Sequence, residues 1–358
     1  MKIAIDISQA IFGTGVSTYT KSLVSSLLKI DNENQYLLYG GSLRRYSELK
    51  SLAQSFSSNS ITKIFPYPPL LSEFVWNGLH AFPLEKLIGS FDLVHTSDWV
   101  EPPTLAPKVT TVHDLYPFKF PRMINPRILN AHRRKMSWVF QETKRIIVPS
   151  LSTKKDLIEI GADGNIVKVI PEAPVLSKST ESQVEAIKRK YQIKGDYLIG
   201  IGLTPLKNTQ SIVKAFHLAK SGKEIKLILV GRPVGVEIKE ERNIRILGHV
   251  PQHDMSALLS GSLGLIFASL YEGYGIPILD AFNCGVPVVT SNISSMPEVA
   301  GDAAVLVDPT DIQSITEGIE KILKGPKGLI QKGYERVKGF SWDKTAKMTL
   351  DVYNEAKS

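Results

Sequence analysis

Residues 269–282 read SLYEGYGIPILDAF and are the most informative part of the chain. The six residues before them, 263–268 (LGLIFA), are all apolar or glycine, which is typical of a strand buried on both faces of a parallel sheet. Pro277 is expected in the first turn of a helix that runs to about residue 283 and ends before Gly285. A strand, a glycine-flanked acidic loop and a helix start favour an anion site, because helix N–H groups and the positive dipole end are available there.

Two carboxylates belong to this stretch. Glu272 lies in the loop, and Asp280 follows eight residues later on the first turns of the predicted helix. At this spacing both side chains can face one ligand from different heights. The alternative is a pair of solvated surface acids, because acidic residues at helix starts are common for capping reasons alone.

The composition indicates an ordinary globular protein of two domains. A chain of 358 residues is too long for one compact core, and it is 43% hydrophobic and 22% charged. The chain has a single cysteine, Cys284, so no disulfide can form within it. Because the neighbours of Cys284 in the sequence are apolar, a buried, inert thiol is expected. The chain starts directly as a strand at Lys2, without a leader or an apolar run of about 18 residues, and a cytoplasmic location is expected.

The net charge of +8 is concentrated in the first half. Residues 1–170 hold 20 basic and 14 acidic residues. A basic half could meet nucleic acid, an anionic membrane surface or phosphorylated substrates. The sequence has no zinc-finger spacing, RNA-stacking motif or helix-turn-helix pattern, so no nucleic-acid partner is expected.

Two stretches of the first half are candidates for contact with an amphiphilic partner. Residues 65–82 are rich in aromatics and proline, which fits a membrane-touching or acceptor-binding surface, or equally packing under a long loop. Residues 119–145 hold eight basic residues and one acid, with apolar residues interleaved. That pattern suits a basic amphipathic helix at a lipid surface, although a solvated helix face is the commoner outcome.

Strand-like and helix-like segments alternate twice along the chain, which predicts two parallel α/β sheets with a hinge near residues 170–175. The first turn, residues 12–19, has two glycines but lacks the third glycine of a dinucleotide fingerprint and the Lys-Ser/Thr of a P-loop. Ser17 or Thr18 is expected to cap the helix after it, and Ser152 the helix that contains Leu157. His113 follows a short strand at its carboxyl end, where open α/β sheets place ligands.

An ordered set of motifs resembles glycosyltransferase family 4. Its centre is the segment from Glu272 to Pro277 with Asp280 eight positions after Glu272. The supporting matches extend over nearly the whole chain: Gly13-Thr14-Gly15, Val112-His113-Asp114-Leu115, Pro149-Ser150, Pro205-Leu206-Lys207-Asn208, Cys284-Gly285-Val286-Pro287, Pro297-Glu298-Val299 and Gly301-Asp302-Ala303-Ala304. Each motif alone is weak, but the set occurs in the family's order.

The resemblance implies a GT-B fold, in which two Rossmann-like parallel-sheet domains face each other across a cleft. Residues 1–172 would form the acceptor-binding domain and 173–340 the nucleotide-sugar-binding domain, and the helix at 341–358 would return to the N-terminal domain. The family also implies retaining transfer with no catalytic metal and no cofactor, the nucleoside diphosphate sugar being a substrate. None of the fifteen aspartates forms an Asp-X-Asp, which agrees with metal independence.

The family's roles carry over residue by residue. Asp280 would accept hydrogen bonds from the ribose, and Glu272 would hold donor-sugar hydroxyls or stabilise positive charge at the anomeric carbon. His113 would orient the donor sugar, its alternative being a strand-end histidine with local hydrogen bonds. Lys207 would neutralise the diphosphate, together with the helix start and the Gly13–Gly15 backbone. The other predicted donor-binding residues are Gly15, Val250, Gly273, Tyr274, Gly275 and Ile276.

Two departures from the family pattern affect the interpretation. The family usually has Glu at the position of Asp280, and it often has Arg at the position of Leu206.

The leading hypothesis is a retaining hexosyltransferase that moves mannose or glucose to a glycan or lipid-linked acceptor in surface polysaccharide or glycoconjugate synthesis. Peripheral contact at the inner membrane face is expected through the N-terminal domain. The alternative is a catalytically weak GT-B module that binds nucleotide or glycan.

Overall fold

The computed structural model describes residues 1–56, 60–97, 99–222 and 224–357. The chain divides into two compact units. The first unit comprises Met1–Glu172 with Ser341–Ser358, and the second comprises Ala173–Phe340. Each unit is built around its own parallel sheet.

The described residues of the first unit form a seven-stranded sheet in the order β3-β2-β1-β4-β5-β6-β7, with every neighbouring pair parallel. Its strands are β1 (Lys2–Asp6), β2 (Gln35–Gly41), β3 (Ser60–Phe65), β4 (Leu93–Ser97), β5 (Lys108–Thr111), β6 (Thr143–Val148) and β7 (Val167–Val169). Its helices are α1 (Gly15–Ile30), α2 (Tyr46–Ser55), α3 (Pro69–Ser72), α4 (Glu85–Ile88), α5 (Tyr116–Lys119), α6 (Pro126–Glu142), α7 (Leu151–Glu159) and, near the end of the chain, α15 (Trp342–Lys357).

The described part of the first unit also contains three shorter helical segments. Ser8–Ile11 and Pro121–Met123 are 3₁₀ turns, and Glu73–Gly78 is a π-helix that continues α3. The C-terminal helix α15 packs on α1, and the Tyr353 hydroxyl lies 2.7 Å from Nδ1 of the buried His95. Burial lowers the pKa of His95 to about 3, so this histidine is neutral and serves to hold α15 on the sheet.

In the described part of the second unit, six parallel strands follow the order β10-β9-β8-β11-β12-β13. They are β8 (Asp196–Ile201), β9 (Ile225–Val230), β10 (Ile244–Ile246), β11 (Gly264–Phe267), β12 (Val288–Ser291) and β13 (Val305–Val307). The helices are α8 (Glu181–Lys190), α9 (Thr209–Leu218), α10 (Gln252–Ser260), α11 (Ile276–Cys284), α12 (Met296–Ala300), α13 (Ile312–Leu323) and α14 (Lys327–Val337).

The predicted α/β class with two Rossmann-like parallel sheets is confirmed. Strand β11 lies between β8 and β12, and all four of its residues are buried, as its continuous apolar sequence predicts. Cys284 is buried, as predicted, and burial raises the pKa of its thiol to about 11. Among the residues that the structure describes, no helix is both long enough and apolar enough to cross a membrane.

Two predicted helix caps are wrong. The cap of α1 is Thr14, whose hydroxyl accepts from the Ser17 N–H while the Ser17 hydroxyl accepts from the Thr14 N–H. The cap of α7 is Ser150, which accepts from the Thr153 N–H at 3.0 Å. In both helices the chain enters the first turn earlier than the apolar pattern indicates, because a hydroxyl three residues upstream satisfies a free N–H.

The helix predicted at Pro277 is confirmed as α11, which ends at Gly285 in the left-handed region with φ +75°.

A methyl group at residue 285 would overlap the Tyr334 hydroxyl of α14. We expect Gly285→Ala to lower the free energy of unfolding by about 2–5 kcal/mol, since it combines left-handed strain with overpacking. Gly195→Ala is the matched control: φ is +80°, nothing lies within 4 Å of the added methyl, and only the strain of about 1–2 kcal/mol remains. Urea denaturation measures both, and equal losses would contradict the role of Tyr334.

Candidate functional site

The loop after β11 is fixed by a side-chain hydrogen bond from the last residue of β12 and by a main-chain hydrogen bond to the loop after β8. The carbonyl of Ser269 accepts from the Ser291 hydroxyl at 2.6 Å, and the Leu270 N–H donates to the carbonyl of Leu206 at 2.8 Å. Because β8, β11 and β12 are parallel neighbours, the loops at their carboxyl ends meet at one edge of the sheet. The acidic loop is therefore held from both sides.

Two serines after β12 set the position of Glu272. The Ser294 hydroxyl donates to the Glu272 carbonyl at 2.7 Å, and the Ser295 hydroxyl donates to the carbonyls of Glu272 and Tyr274 at 3.0 and 2.6 Å. Ser294 has φ +58°, which is uncommon for a residue with a side chain. Neither serine was predicted from the sequence, although a polar run at the carboxyl end of a buried strand was the available signal.

Lys207 and Glu272 form an ion pair, with Nζ 2.5 Å from Oε1. The Lys207 ammonium also lies 5.1 Å from the centre of the Phe267 ring, a cation–π contact. Its stem packs against Gly202, where an added methyl would approach Cγ of the lysine to 2.9 Å. The structure thus brings together two predicted site residues that are 65 positions apart in the chain.

The remaining predicted donor residues of this loop lie between Glu272 and α11. Gly275 is the N-cap of α11 with φ +115°, and Ile276 is the first residue of the helix. The side chains of Tyr274 and Ile276 are buried in the hydrophobic core of the second unit and hold the loop in place. Gly273 is also buried. A phosphate at this helix start would therefore meet main-chain N–H groups and not these side chains.

The Asp280 carboxylate accepts hydrogen bonds that the sequence did not predict. Its Oδ1 accepts from the N–H groups of Val175 and Leu176 at 2.7 and 2.9 Å, and Asn283 on the same helix donates to the Leu176 carbonyl at 2.8 Å. Burial raises the pKa of the Asp280 carboxyl to about 6, against the effect of the two backbone hydrogen bonds. Asp280 therefore anchors the first residues of the second unit to α11.

Two further positions of the family motifs, Val250 and Leu206, have side chains that are buried or half-buried in the second unit. Val250 belongs to the hydrophobic core of the second unit and is 6% exposed, so contact with a base would have to use its main chain. Leu206, where the family often has Arg, is half-buried, and its carbonyl accepts from Leu270. The side chain at this position carries no charge toward a diphosphate.

His113 lies in the first unit, two residues after the end of β5. Its Nε2 is 2.9 Å from the Ser97 hydroxyl, its Nδ1 is 3.6 Å from Oε1 of Glu172, and the Tyr19 ring contacts it edge-on at 4.7 Å. The separation from Glu172 is too long for a hydrogen bond but short enough for attraction when the imidazole is protonated. The local hydrogen bond anticipated in the alternative interpretation is present, and it fixes the ring.

Gly15, also in the first unit, is the first residue of α1, and nothing lies within 4 Å of the methyl group that a side chain would add there. Its surroundings leave space for a ligand to approach the backbone.

Across residues 1–56, 60–97, 99–222 and 224–357, no group of three or more His, Cys, Asp or Glu side chains is arranged to hold a metal ion.

Both halves of the chain match known families. Residues 13–173 match the family described as Glycosyltransferase Family 4, and residues 184–336 match the family described as Glycosyl transferases group 1. The first match covers residues 13–172 of the first unit and ends one residue beyond them, and the second match lies within the second unit.

Two similar proteins have described functions. The O-antigen chain mannosyltransferase B of Escherichia coli is 27% identical over 365 residues, which are 95% of this chain and 96% of that protein. The O-antigen chain mannosyltransferase RfbU of Salmonella typhimurium is 26% identical over 267 residues, 71% of each chain.

Among solved structures, Anabaena Alr3699/HepE in complex with UDP and glucose matches with a TM-score of 0.73 at 15% sequence identity. The match covers 99% of both chains, so the likeness of fold extends over the full length.

Proposed function

Because the chain belongs to the family 4-like glycosyltransferases of the GT-B fold, we propose that it transfers mannose from a nucleoside diphosphate sugar to a glycan or glycolipid acceptor in surface polysaccharide synthesis. Two similar proteins are named as O-antigen chain mannosyltransferases, and one of them is similar over 95% of this chain. A nucleotide-sugar donor is supported by the structural neighbour solved with UDP and glucose.

The observation that carries this proposal is the Lys207–Glu272 pair in the loop that leads into α11. Lys207 supplies a cation for the leaving diphosphate, and the N-terminus of the nine-residue helix supplies N–H groups and a positive dipole end. Glu272 supplies a carboxylate for the hydroxyls of the sugar or for positive charge at the anomeric carbon. The two groups hold each other in position, which reduces the ordering needed when the donor binds.

The proposed reaction retains the anomeric configuration and uses no catalytic metal. The acceptor hydroxyl attacks the anomeric carbon from the face that the diphosphate leaves, and the bond between the anomeric carbon and the phosphate oxygen breaks. The departing phosphate carries the bonding electrons and accepts the proton of the hydroxyl. Lys207 then exchanges Glu272 for phosphate as its partner, and Glu272 is released toward the sugar. This exchange stabilises charge where it develops in the transition state, which is the largest contribution in many enzymes.

His113 is proposed to orient the donor sugar beside the phosphate. The Ser97 hydroxyl and the Tyr19 ring restrain the imidazole, so its direction is set before the substrate arrives. A fixed imidazole loses less conformational freedom on binding than a mobile one.

A donor panel tests this function. We expect one nucleoside diphosphate among those of guanosine, uridine and adenosine to raise the unfolding midpoint, because a ligand at 100 times its Kd adds about 2.7 kcal/mol of stability. The corresponding nucleoside diphosphate sugar should then turn over steadily in the presence of a glycan or glycolipid acceptor. Stabilisation by none of the three nucleotides would contradict the proposal.

A catalytically weak nucleotide- or glycan-binding module is the second candidate. It is favoured by the uncharged Leu206 and by the attachment of Asp280 to the backbone of Val175 and Leu176. The same donor panel discriminates between the two functions. Tight binding without turnover favours the module, and steady turnover excludes it.

Peripheral membrane contact through the first unit is proposed as well. Leu70, Leu71, Phe74, Leu79 and Phe82 are each exposed by about half or more. The amphipathic helix expected in residues 119–145 is α6, which is basic on its exposed side. Co-sedimentation with anionic liposomes at low salt is expected, and its absence would count against this contact.

A further inference from the structure

Arg232 lies outside the contacts of the candidate site, in the loop that follows β9 (residues 231–235, the β9 loop). It is exposed, and among the residues that the structure describes none forms a hydrogen bond or an ion pair with its guanidinium. Strands β9 and β8 are parallel neighbours, so their carboxyl ends lie at the same edge of the sheet. Arg232 therefore follows the strand beside β8, and the loop after β8 (residues 202–208, the β8 loop) carries Lys207.

The β9 loop is fastened to the β8 loop at its far end. The Val234 N–H donates to the Leu203 carbonyl at 2.9 Å. Gly235 has φ +68°, and a methyl group added there would lie 3.6 Å from Cδ of Pro205, which is an ordinary contact distance. Glycine adopts this left-handed conformation without strain. One end of the β9 loop is therefore fixed against the loop that leads to Lys207.

Two glycines bring the same loops together next to Arg232. Gly231 has φ +131°, and a methyl group added there would lie 3.5 Å from the Cα of Gly202. A methyl group at Gly202 would in turn lie 2.9 Å from Cγ of Lys207. Gly202 thus contacts both the main chain beside Arg232 and the stem of Lys207. Neighbouring strands are about 4.8 Å apart, a distance that a long arginine side chain spans.

The loop after β10 extends this row of loops. The N–H of the first residue of the β9 loop donates to the carbonyl of Gly248 at 2.8 Å, and Val250, the predicted base contact, is two residues further on. Because the strands occur in the order β10-β9-β8-β11, the loops at their carboxyl ends follow the same order. After the predicted base contact come Arg232, Lys207 and Glu272. A nucleoside diphosphate sugar has its groups in a matching order, with the base first, then the phosphates, then the sugar.

The charge balance of the candidate site leaves a need for a second cation. Lys207 and Glu272 lie 2.5 Å apart, so their charges offset each other. Leu206 adds no charge, and the N-terminus of α11 supplies the equivalent of about half an elementary charge. A diphosphate ester carries negative charge on both of its phosphates. The exposed guanidinium of Arg232, one strand away from Lys207, supplies a further full positive charge.

We propose that Arg232 binds the donor diphosphate as a second cationic contact, between the base and Lys207. A guanidinium can donate two parallel N–H bonds to two oxygens of one phosphate, whereas an ammonium acts as a point charge. Arg232 holds the phosphate on the nucleoside side, and Lys207 holds the phosphate on the sugar side. This inference rests on the proposed function, since it adds a residue to the donor site of the same transfer.

Nucleotide binding tests this contact without any need for catalysis. The probes are the diphosphates of guanosine, uridine and adenosine and the three parent nucleosides, each used in a calorimetric titration. Arg232→Gln should raise the Kd of the diphosphate that binds the wild type by about 10-fold or more, because one charge-assisted contact is lost. The Kd of the parent nucleoside should stay within about 2-fold of the wild-type value, because the base and the ribose keep their contacts.

Two further variants serve as controls. Arg232→Lys keeps the charge but loses the planar fork, so its Kd for the diphosphate should lie between those of the wild type and of Arg232→Gln. Arg189→Gln removes an exposed arginine of α8, which lies outside the row of loops. It changes the net charge of the protein by the same amount, and its Kd for the diphosphate should stay within about 2-fold of the wild-type value.

Several results would overturn the inference. An unchanged Kd of the diphosphate in Arg232→Gln would remove Arg232 from the donor site, as would equal losses in Arg189→Gln. Equal losses for the diphosphate and its parent nucleoside would assign the residue to the shape of the base site instead. An Arg232→Lys variant as weak as Arg232→Gln would exclude a role for the charge. Binding of none of the diphosphates by the wild type contradicts the proposed transfer itself, so the two failures are distinguishable.

Discussion

Glu272→Gln is expected to lower kcat by about 10²–10³-fold while the protein keeps its fold. Glutamine preserves the size of the side chain and can still accept from Lys207, but it cannot stabilise positive charge at the anomeric carbon. The Michaelis constant for the donor should change much less than kcat, because Lys207 stays available to the diphosphate. Steady-state kinetics with a saturating acceptor measures both quantities.

The fold should tolerate this change because the pair is partly exposed. The side chains of Lys207 and Glu272 are 31% and 13% exposed, and exposed or half-exposed ion pairs contribute about 0–1 kcal/mol. We therefore expect the unfolding midpoint to move by no more than about 4 °C. Glu317→Gln, at an exposed position of α13 in the same unit, is the matched control and should keep wild-type kcat. Undiminished turnover in Glu272→Gln would remove Glu272 from the catalytic site.

Asp280→Asn is expected to stabilise the protein at neutral pH, by up to about 3 kcal/mol. The pKa of the buried Asp280 carboxyl is raised to about 6 from an ordinary 3.8, and two units correspond to about 3 kcal/mol. Asparagine keeps an oxygen that can accept from Val175 and Leu176, and it carries no charge to bury. Denaturant unfolding as a function of pH measures the effect.

The pH dependence has a defined direction. In the unfolded chain Asp280 loses its proton near pH 4, whereas in the folded chain it keeps the proton to about pH 6. The stability that the protonated form contributes is therefore complete below about pH 4 and is lost as the pH rises through 6. The advantage of Asp280→Asn should shrink toward pH 4 and be largest above pH 6.

Two further variants give this prediction its controls. Asp280→Ala removes the acceptor of the buried Leu176 N–H, at about 1–3 kcal/mol, and of the partly buried Val175 N–H, so it should destabilise the protein. Asp351→Asn, at an exposed aspartate of α15, is the surface control. If Asp280→Asn were as unstable as Asp280→Ala, the carboxylate charge would be required for the bonds to Val175 and Leu176.

The sequence predicted the fold well because its strongest signals are local. The apolar run at 263–268 and the turn residues Pro277 and Gly285 are both read from short segments, and both occur as predicted in β11 and α11. The helix caps were misplaced by two to four residues, because a capping hydroxyl acts across a turn whose register the apolar pattern does not define.

The candidate site was only partly predictable, since its contacts join distant segments. The motif at 269–282 identified Glu272, but its ion pair with Lys207 depends on the adjacency of β8 and β11. The anchoring of Asp280 to residues 175–176 has no counterpart in the local sequence. Sequence patterns also gave residues 65–82 and 119–145 as two separate surfaces, and the structure shows that Phe74 and Arg134 line one cavity.

Anomeric analysis of the transferred sugar tests the central claim most directly. The purified protein is incubated with the stabilising nucleoside diphosphate mannose and an acceptor, and the product is followed by NMR at the anomeric carbon. We predict steady release of the nucleoside diphosphate together with a new mannosyl linkage in the anomeric configuration of the donor. Nucleotide binding without turnover, or a product of inverted configuration, would contradict the account.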